Sequence, residues 1–555
     1  MAATRQGPPA CPVLPFRATL ARMSDESEAN GRLIRQSGKL SVLTMTSRIL
    51  GLIRDRTRGA LMGTGVLADA FTVAFSVPNL FRRLFAEGSM SVALIPTLKA
   101  YVSEGDREKT EEFLSATFTA LIIAVCAVVA AGIAVSPVLV RLFDSEPVET
   151  TVLMRIMFPF LALVSIAAFF QGILNALGSF TPSGFAPIFF NLSFIFVPMV
   201  IGSFMANPAR SMAVGVIFGG FLQALCQLPY VLRLGARFRF VSPRRAFSNA
   251  GMRRVLVLIG PTILGMAAYE VNGLVSTSLA TRAGTGVATA LSFSLRLQEL
   301  VLGVFVVSVG TVLLPELSGL AASAQWTRYR ERLVRALEAI ALITVPVAVF
   351  SICERFDIVA LLFKTREFSD ASVAKTAGAF FFHMIGLPFI GANRILAPAF
   401  YARGDTKTPA WAGIIAVAVN ILAAIVLQPA MGGSGIALAL SIASAVNAAA
   451  LIVMLGRVGI DGLGAALVSV ALYIIKLLVF SAAAAAPVLL LRGAFSAWFG
   501  GSGTGIVAYG VPFALSGIVF AAVGVGLLAV FKDPAAAFLV SSVRGRSRKQ
   551  ANRVE

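Results

Sequence analysis

The stretch MTSRILGLIRDRTRGALMGTGVLADAFTVAFSVPNLFRRLFAEGSMSVALIPTLKAY (residues 45–101) reads as two apolar helical runs folded back on each other at the turn Gly63–Gly65. Each run is long enough to cross a bilayer, which takes about twenty residues. Yet Arg48, Arg54, Asp55, Arg56 and Arg58 interrupt the first, and Asp69, Arg82, Arg83 and Glu87 the second. An arginine near the centre of a membrane helix costs about 2.5–3.5 kcal/mol on insertion scales. Charges placed there need a function or a partner.

Outward from this hairpin the whole chain has the same character. Its 555 residues are 57% hydrophobic and 13% charged, against about 25% charged in soluble domains. Apolar segments near 40–62, 67–100, 112–140, 150–176, 183–205, 211–234, 254–281, 285–319, 331–361, 371–401, 409–429, 433–456, 463–491 and 505–531 predict about fourteen transmembrane helices. The fold class is an all-α integral membrane protein.

The net charge of +20 falls in short clusters between these runs. That is the topological bias of membrane proteins, and it argues against nucleic acid as a partner. The connections SEGDREKTEE (103–112), RLGARFRFVSPRR (233–245), QWTRYRERLVR (325–335), ARGDTKT (402–408) and GRVG (456–459) follow even-numbered helices and carry lysine or arginine. The uncharged GSFTPSG (178–184) is silent. Those after odd helices, among them GTGV (63–66), FDSEPVET (143–150), RAGTG (282–286) and GGSG (432–435), carry few. Basic loops mark the cytoplasm, so a multi-pass inner-membrane protein with both termini cytoplasmic is expected.

The chain also repeats at about 220 residues, a transporter signature when the copies are parallel. FSVPNLFRRL (75–84) echoes FSLRLQELVL (293–302), IPTLKAY (95–101) echoes LPELSGL (314–320), and LGSFTPSG with Asn191 echoes RGDTKTPA with Asn420. Two pseudo-symmetric six-helix lobes, 39–235 and 236–457, therefore follow, with helices 13 and 14 (458–532) as an addition. Residues 1–38 read as a disordered cytoplasmic extension in which Met23 is as good a start as Met1, and 533–555 as a basic cytoplasmic tail.

No enzyme constellation is present: neither a GxSxG elbow, a P-loop nor an HExxH. Cys11, Cys126, Cys226 and Cys353 are scattered and His383 is the single histidine. No metal or other cofactor is expected. His383 reads as a packed helix residue and Lys476 as a snorkelling or groove residue.

Other charges have bland readings. Arg83 and Glu87 are spaced to pair along a helix, as are Arg296 and Glu299, and Arg56, Arg58 and Arg394 suit snorkelling to a membrane face. Arg48, Arg54, Arg82 and Arg296 outnumber the acids near them, and guanidinium does not deprotonate. A surplus of guanidinium in a membrane cavity suits an anion, above all a diphosphate gripped bidentately. Arg48 and Arg54 lie about 120° apart on an ideal helix, so sharing a cavity calls for a bend, which Gly51 permits.

MTSRILGLIRD (45–55), ADAFTVAFSVPNLFRRLFAEGSMSVALIPTLKAY (68–101), GPTILG (260–265) and the RLQE of helix 8 (296–299) resemble the MurJ (MviN) lipid II flippases of the multidrug/oligosaccharidyl-lipid/polysaccharide exporter superfamily. The likeness runs from about residue 38 to 531. It implies alternating access of a cationic central cavity, and helices 13–14 forming a groove for an undecaprenyl tail. The expected function is translocation of the undecaprenyl-diphosphate-linked peptidoglycan precursor from the cytoplasmic to the periplasmic face. Lipid II, membrane lipids and the cell-wall synthesis machinery are the implied partners. Its essential arginines map onto Arg48, Arg54, Arg82 and Arg296 and its functional acids onto Asp69 and Glu299. Some members carry an acid where this chain has Leu295, and some hold a coupling ion for which Glu270, Asn272 and Asn420 are the candidate oxygens here. The alternatives are a polysaccharide-lipid flippase or a cation-coupled drug exporter of the same superfamily. The arginine surplus disfavours the drug exporter, and a lipid-phosphate enzyme lacks a nucleophile or metal ligands. A scaffold leaves the arginines without a role.

Overall fold

The computed structural model describes residues 16–84, 90–143, 147–499 and 505–537. Every regular element among them is helical. In chain order they are α1 (Phe16–Met62), α2 (Val66–Arg82), α3 (Met90–Ser103), α4 (Arg107–Arg141), α5 (Pro147–Met157), α6 (Phe160–Ala176), α7 (Thr181–Ile201), α8 (Pro208–Arg233) and α9 (Pro243–Ser248). They continue with α10 (Ala250–Arg282), α11 (Val287–Ala322), α12 (Trp326–Cys353), α13 (Arg355–Phe363), α14 (Asp370–Tyr401), α15 (Lys407–Met431), α16 (Gly433–Gly456), α17 (Leu463–Phe499) and α18 (Val511–Val530).

Among the described residues, ten helical stretches are long and apolar enough to cross a membrane. The expected fourteen counts four more with them: α1, the α2–α3 pair, α10 and α11. Two expected helices are broken, and a third, 67–100, is described as α2 and α3 on either side of residues 85–89, so Glu87 and its expected pairing lie outside the described residues. The run 150–176 divides at Pro159, which cannot supply the backbone donor an unbroken helix needs there. The run 331–361 divides at Glu354. At the N-terminus α1 already begins at Phe16, inside the segment expected to be disordered; residues 1–15, with Cys11, and 538–555 lie outside the described residues.

Side-chain caps set several helix starts, each supplying an acceptor to an otherwise orphaned backbone N–H. Asp106 accepts from Lys109 N at 3.0 Å at the start of α4. Asn207 accepts from Arg210 N at 3.0 Å at α8, and Asn249 from Met252 N at 3.1 Å at α10.

Two apolar bundles form around aromatic cores. In the first, Phe71, Phe160 and Phe194 pack with Met154 and Met157, and Phe113 and Phe169 pack with Leu94. In the second, α11, α12, α14 and α16 surround Phe293, Tyr329, Phe363, Phe380 and Phe400. Tyr329 is fully buried and donates to the Ala399 carbonyl at 2.5 Å, so its hydroxyl is satisfied. Helix α17 lays Leu463, Leu467 and Val470 into this second core, and α18 packs along α17. Lys476 on α17 does not snorkel: it pairs with Asp533 at 2.7 Å and lies against the Phe480 ring.

The bundles meet at the end carrying the turns 63–65 and 283–286. Thr64 Oγ1 donates to Ser372 Oγ at 2.8 Å, and the Thr72 and Thr289 hydroxyls are 3.0 Å apart. Asp69, from α2, accepts from Gly286 N at 2.5 Å, Thr289 N at 2.9 Å and Thr289 Oγ1 at 2.7 Å. A carboxylate from one lobe thus caps a helix of the other, where the free N–H groups and the helix dipole both favour negative charge. This end of the molecule is shut.

Candidate functional site: an arginine-rich cavity between the lobes

A cavity of about 250 Å³ lies between α1, α11 and α14, lined by Arg48, Arg296, Glu299, Leu300, Leu302, Gly303 and Arg394. It is well away from the shut end. Arg48 is sixteen residues before Thr64 on the chain, about 24 Å along a helix, and Arg394 is about 33 Å along α14 from Ser372.

Asp55 organises one wall. Its Oδ1 accepts from Arg54 Nε at 3.1 Å and Nη2 at 2.9 Å, and its Oδ2 accepts from Arg296 Nε at 3.1 Å. Arg296 Nη1 then donates to Glu299 Oε2 at 3.2 Å, within the α11 helix turn. Arg54 also reaches Asn191 Oδ1 at 3.2 Å and stacks on Phe194, and Asn191 in turn donates to the Ser47 carbonyl at 3.0 Å. The chain Asn191–Arg54–Asp55–Arg296–Glu299 ties α7, α1 and α11 into one polar array. Such an array holds guanidinium groups in one orientation, which long side chains otherwise resist for entropic reasons.

Arg48 and Arg394 differ. Among the described residues neither has a hydrogen-bonding or ion-pair partner. Four arginines (Arg48, Arg54, Arg296, Arg394) thus face two acids (Asp55, Glu299), and the two guanidiniums left over both line the cavity.

The expected site residues are therefore not all gathered here. Arg48, Arg296 and Glu299 line the cavity, and Arg54 joins through Asp55. Arg82 is not among the residues lining this cavity and donates its Nε to Asn79 Oδ1 at 2.8 Å, and Asp69 belongs to the shut end. Glu270 accepts from Arg83 Nη1 at 3.1 Å, whereas Asn420 Nδ2 donates to Asn272 Oδ1 at 2.8 Å. Residues two apart on a helix point about 200° apart, so Glu270 and Asn272 face different neighbours and the three candidate ion oxygens do not converge.

Other charges expected to snorkel do not. Arg56 Nη1 donates to the carbonyls of Leu361 at 2.9 Å and Leu362 at 2.7 Å, capping the end of α13. Arg58 donates to Ser292 Oγ at 2.6 Å and lies 4.3 Å over the Phe293 ring. Arg394 faces the cavity. His383 is a packed residue, its Nδ1 2.6 Å from Ser294 Oγ. Sequence reading missed Asp55, Asn191 and Arg394 as site members. Asp55 was visible as the acid next to Arg54, and Asn191 had surfaced only through the repeat.

Two glycines make room for the arginines. A Cβ on Gly51 would lie 2.8 Å from Arg296 Nη2, and one on Gly303 would collide with Arg48 Nη1. Gly51, which permits a bend in α1, also opens space for a guanidinium from α11. Gly303→Ala is expected to push Arg48 off its bed without changing any charge. Binding of an anionic lipid should then weaken severalfold, in the range of an Arg48→Lys change, and combining the two should cost no more than either alone. Affinities measured for the two single variants and the double variant test this; fully additive losses would show that Gly303 does not act through Arg48.

Comparison with known proteins agrees with this geometry. The family model described as lipid II flippase MurJ matches residues 59–509. A probable lipid II flippase MurJ of Treponema pallidum is 39% identical over 523 residues, covering 93% of this chain and 99% of that protein. A lipid II flippase MurJ of Burkholderia cenocepacia is 31% identical, over 74% of this chain and 81% of its own length. Among solved structures, a lipid II flippase MurJ in an inward closed conformation superposes with a TM-score of 0.73 at 22% identity, over 89% of this chain and 98% of that one. An inward-facing multidrug resistance MATE family transporter of the MOP superfamily superposes at 0.64 with 16% identity, over 77% and 98%. Both structural likenesses speak to the fold.

Proposed function

The chain belongs to the lipid II flippase MurJ family, and from that membership we propose how its cavity works. The protein translocates lipid II, a lipid-linked peptidoglycan precursor, across the inner membrane. The observation that carries the site assignment is the pair of unpartnered guanidiniums, Arg48 and Arg394, at the wall of a cavity between the lobes. A diphosphate supplies what they lack: multiple acceptor oxygens and negative charge, in a place where desolvation strengthens the attraction. Arg54 and Arg296, oriented by Asp55 and Glu299, complete the cationic wall.

The basic connections lie at the end opposite the Asp69 cap, so that end faces the cytoplasm, with both termini. The shut end is then periplasmic, and the headgroup enters the cavity from the side where the precursor is made. Release requires the contacts around Asp69, Thr64 and Thr72 to part while the cytoplasmic ends of the lobes close. Asp69 acts in this cycle as a latch rather than a ligand. Helices α17 and α18, packed outside the second lobe, serve the polyprenyl tail.

Depletion of the protein in its host tests the substrate. Lipid II is expected to accumulate in the membrane while polysaccharide-lipid precursors stay at their normal level. Accumulation of a polysaccharide-lipid precursor without lipid II would move the protein to the other flippase class.

A further inference from the structure

Helix α11 runs antiparallel to α1 along the seam between the lobes, and side-chain contacts fix the register. A Cβ on Gly303 would meet Arg48, and one on Gly51 would meet Arg296. Further along, Asp55 pairs with Arg296, Arg58 reaches Ser292 and Phe293, and a Cβ on Gly286 would strike the Thr64 carbonyl. Residue numbers thus rise on α1 as they fall on α11, from the cavity to the shut end. Arg58 stands one helix turn, about 6 Å, beyond Arg54 and the same distance short of Met62, where α1 ends. It is not among the residues lining the cavity; it lies between the cavity and the latch.

Its partners set it apart from its neighbours. Arg54 and Arg296 are held by the Asp55 carboxylate. Arg58 pairs with no acid among the described residues. Its Nη2 donates to Ser292 Oγ at 2.6 Å, its guanidinium lies 4.3 Å over the Phe293 ring, and its Nε is buried with no hydrogen-bond partner. Both partners are neutral, and both belong to α11 in the second lobe. Ser292 donates its own proton to the Thr289 carbonyl at 2.7 Å, a bond within α11 that survives any movement of that helix. Arg58 has no such reserve. It stays charged when α11 moves away, and its N–H donors then need new acceptors.

We propose that Arg58 is a second phosphate-binding residue, which takes the lipid diphosphate from the cavity arginines once the lobes part at the shut end. The proposal rests on the lipid II reading above. In the shut state Ser292 and Phe293 occupy the guanidinium and keep it from the anion in the cavity. In the parted state α11 carries both away. A diphosphate has two anionic groups, so one engages Arg58 while Arg54, a single turn back, still holds the other. The charge is therefore matched at each step of its passage, where a bare anion in the membrane interior would be costly. Arg58 takes no part in first capture. Losing it should lower the rate of translocation without weakening initial binding.

The test measures lipid II translocation by the full chain in vesicles, with membrane abundance as a control. Affinity for lipid II is read separately, with the shut end locked by a Thr64→Cys/Ser372→Cys disulfide. Arg58→Gln is expected to slow translocation about ten- to a hundredfold, while the locked form binds lipid II within about twofold of its parent. Arg58→Lys keeps the charge but not the planar fork, so it should be slowed severalfold at unchanged affinity, and it reports even if Arg58→Gln fails to insert. Ser292→Ala removes the resting partner and leaves Arg58 in place. A phosphate station predicts transport near the wild-type rate in Ser292→Ala; a mere tie between α1 and α11 predicts the same loss as in Arg58→Gln. Parting of the lobes also frees Asp69, and an Arg58 needed only to neutralise it would be dispensable once Asp69→Asn is added. A wild-type rate in either Arg58 variant, a locked-state affinity that falls with the rate, equal losses in Ser292→Ala and Arg58→Gln, or transport restored to Arg58→Gln by Asp69→Asn overturns the proposal. Those outcomes leave the substrate reading standing, whereas a wild type that moves no lipid II overturns that reading and the station with it.

Discussion

Alanine at Arg296 is expected to lower lipid II translocation by about one to two orders of magnitude at unchanged membrane abundance. The change removes a guanidinium bonded to Asp55 at 3.1 Å and to Glu299 at 3.2 Å. Charge-assisted hydrogen bonds are each worth about 1.5–3 kcal/mol, and one lost interaction of that size with substrate gives the stated range. A lysine keeps the charge but has no planar fork to span both acids, so Arg296→Lys should fall between wild type and alanine. The informative variant is the double change Arg296→Ala with Glu299→Ala. If Arg296 only neutralised its neighbour in the helix turn, removing both would restore transport. The structure gives Arg296 a second anchor across the lobe interface, Asp55, which still holds Arg54 when Arg296 is gone. The double variant should therefore stay impaired, and transport at wild-type rate in it would sink the assignment of Arg296 to the diphosphate.

Much of the architecture could be read from the chain because a bilayer leaves few solutions. Apolar runs of the right length must be helices, and lysine and arginine between them sort the ends. The breaks were harder. Pro159 stands inside an apolar run, and whether a proline kinks a membrane helix or splits it depends on what packs beside it; Phe158 and Phe160 each bury in the lobe core on either side of it. Similarly, counting charges found the arginine surplus but not its distribution. Arg56 looked free until α13 brought the Leu361 and Leu362 carbonyls to it, and Arg394 looked like a surface charge until α14 turned it inward. Asp69 shows the same limit. Its residue type suited a binding site, and only the approach of α11 from the other lobe revealed a helix cap. Contacts more than two hundred residues apart in sequence decide these roles, and no local pattern encodes them.

The shut end offers the strongest test of alternating access. Thr64 and Ser372 come from opposite lobes, and their hydroxyl oxygens are 2.8 Å apart. Hydroxyls that close bring the two Cβ atoms near the span a disulfide bridges, about 3.5–4.5 Å. The pair Thr64→Cys and Ser372→Cys, in a chain whose native Cys11, Cys126, Cys226 and Cys353 are replaced by serine or alanine, should oxidise readily in the state described here. A covalent bond there cannot be opened by the energy of binding, whereas the native latch is a set of hydrogen bonds of about 1 kcal/mol each with one stronger contribution from the Asp69 carboxylate. Translocation of lipid II should fall to background in the oxidised protein and return on thiol reduction, and each single cysteine variant should remain active under oxidation. Lipid II should still bind to the oxidised form, because the cavity lies about 24 Å from the crosslink at Arg48. Separating binding from transport in this way distinguishes a locked gate from a misfolded protein. Translocation undiminished by the crosslink would mean that the lobes need not part at this end, and the latch assigned to Asp69, Thr64 and Thr72 would have to be abandoned.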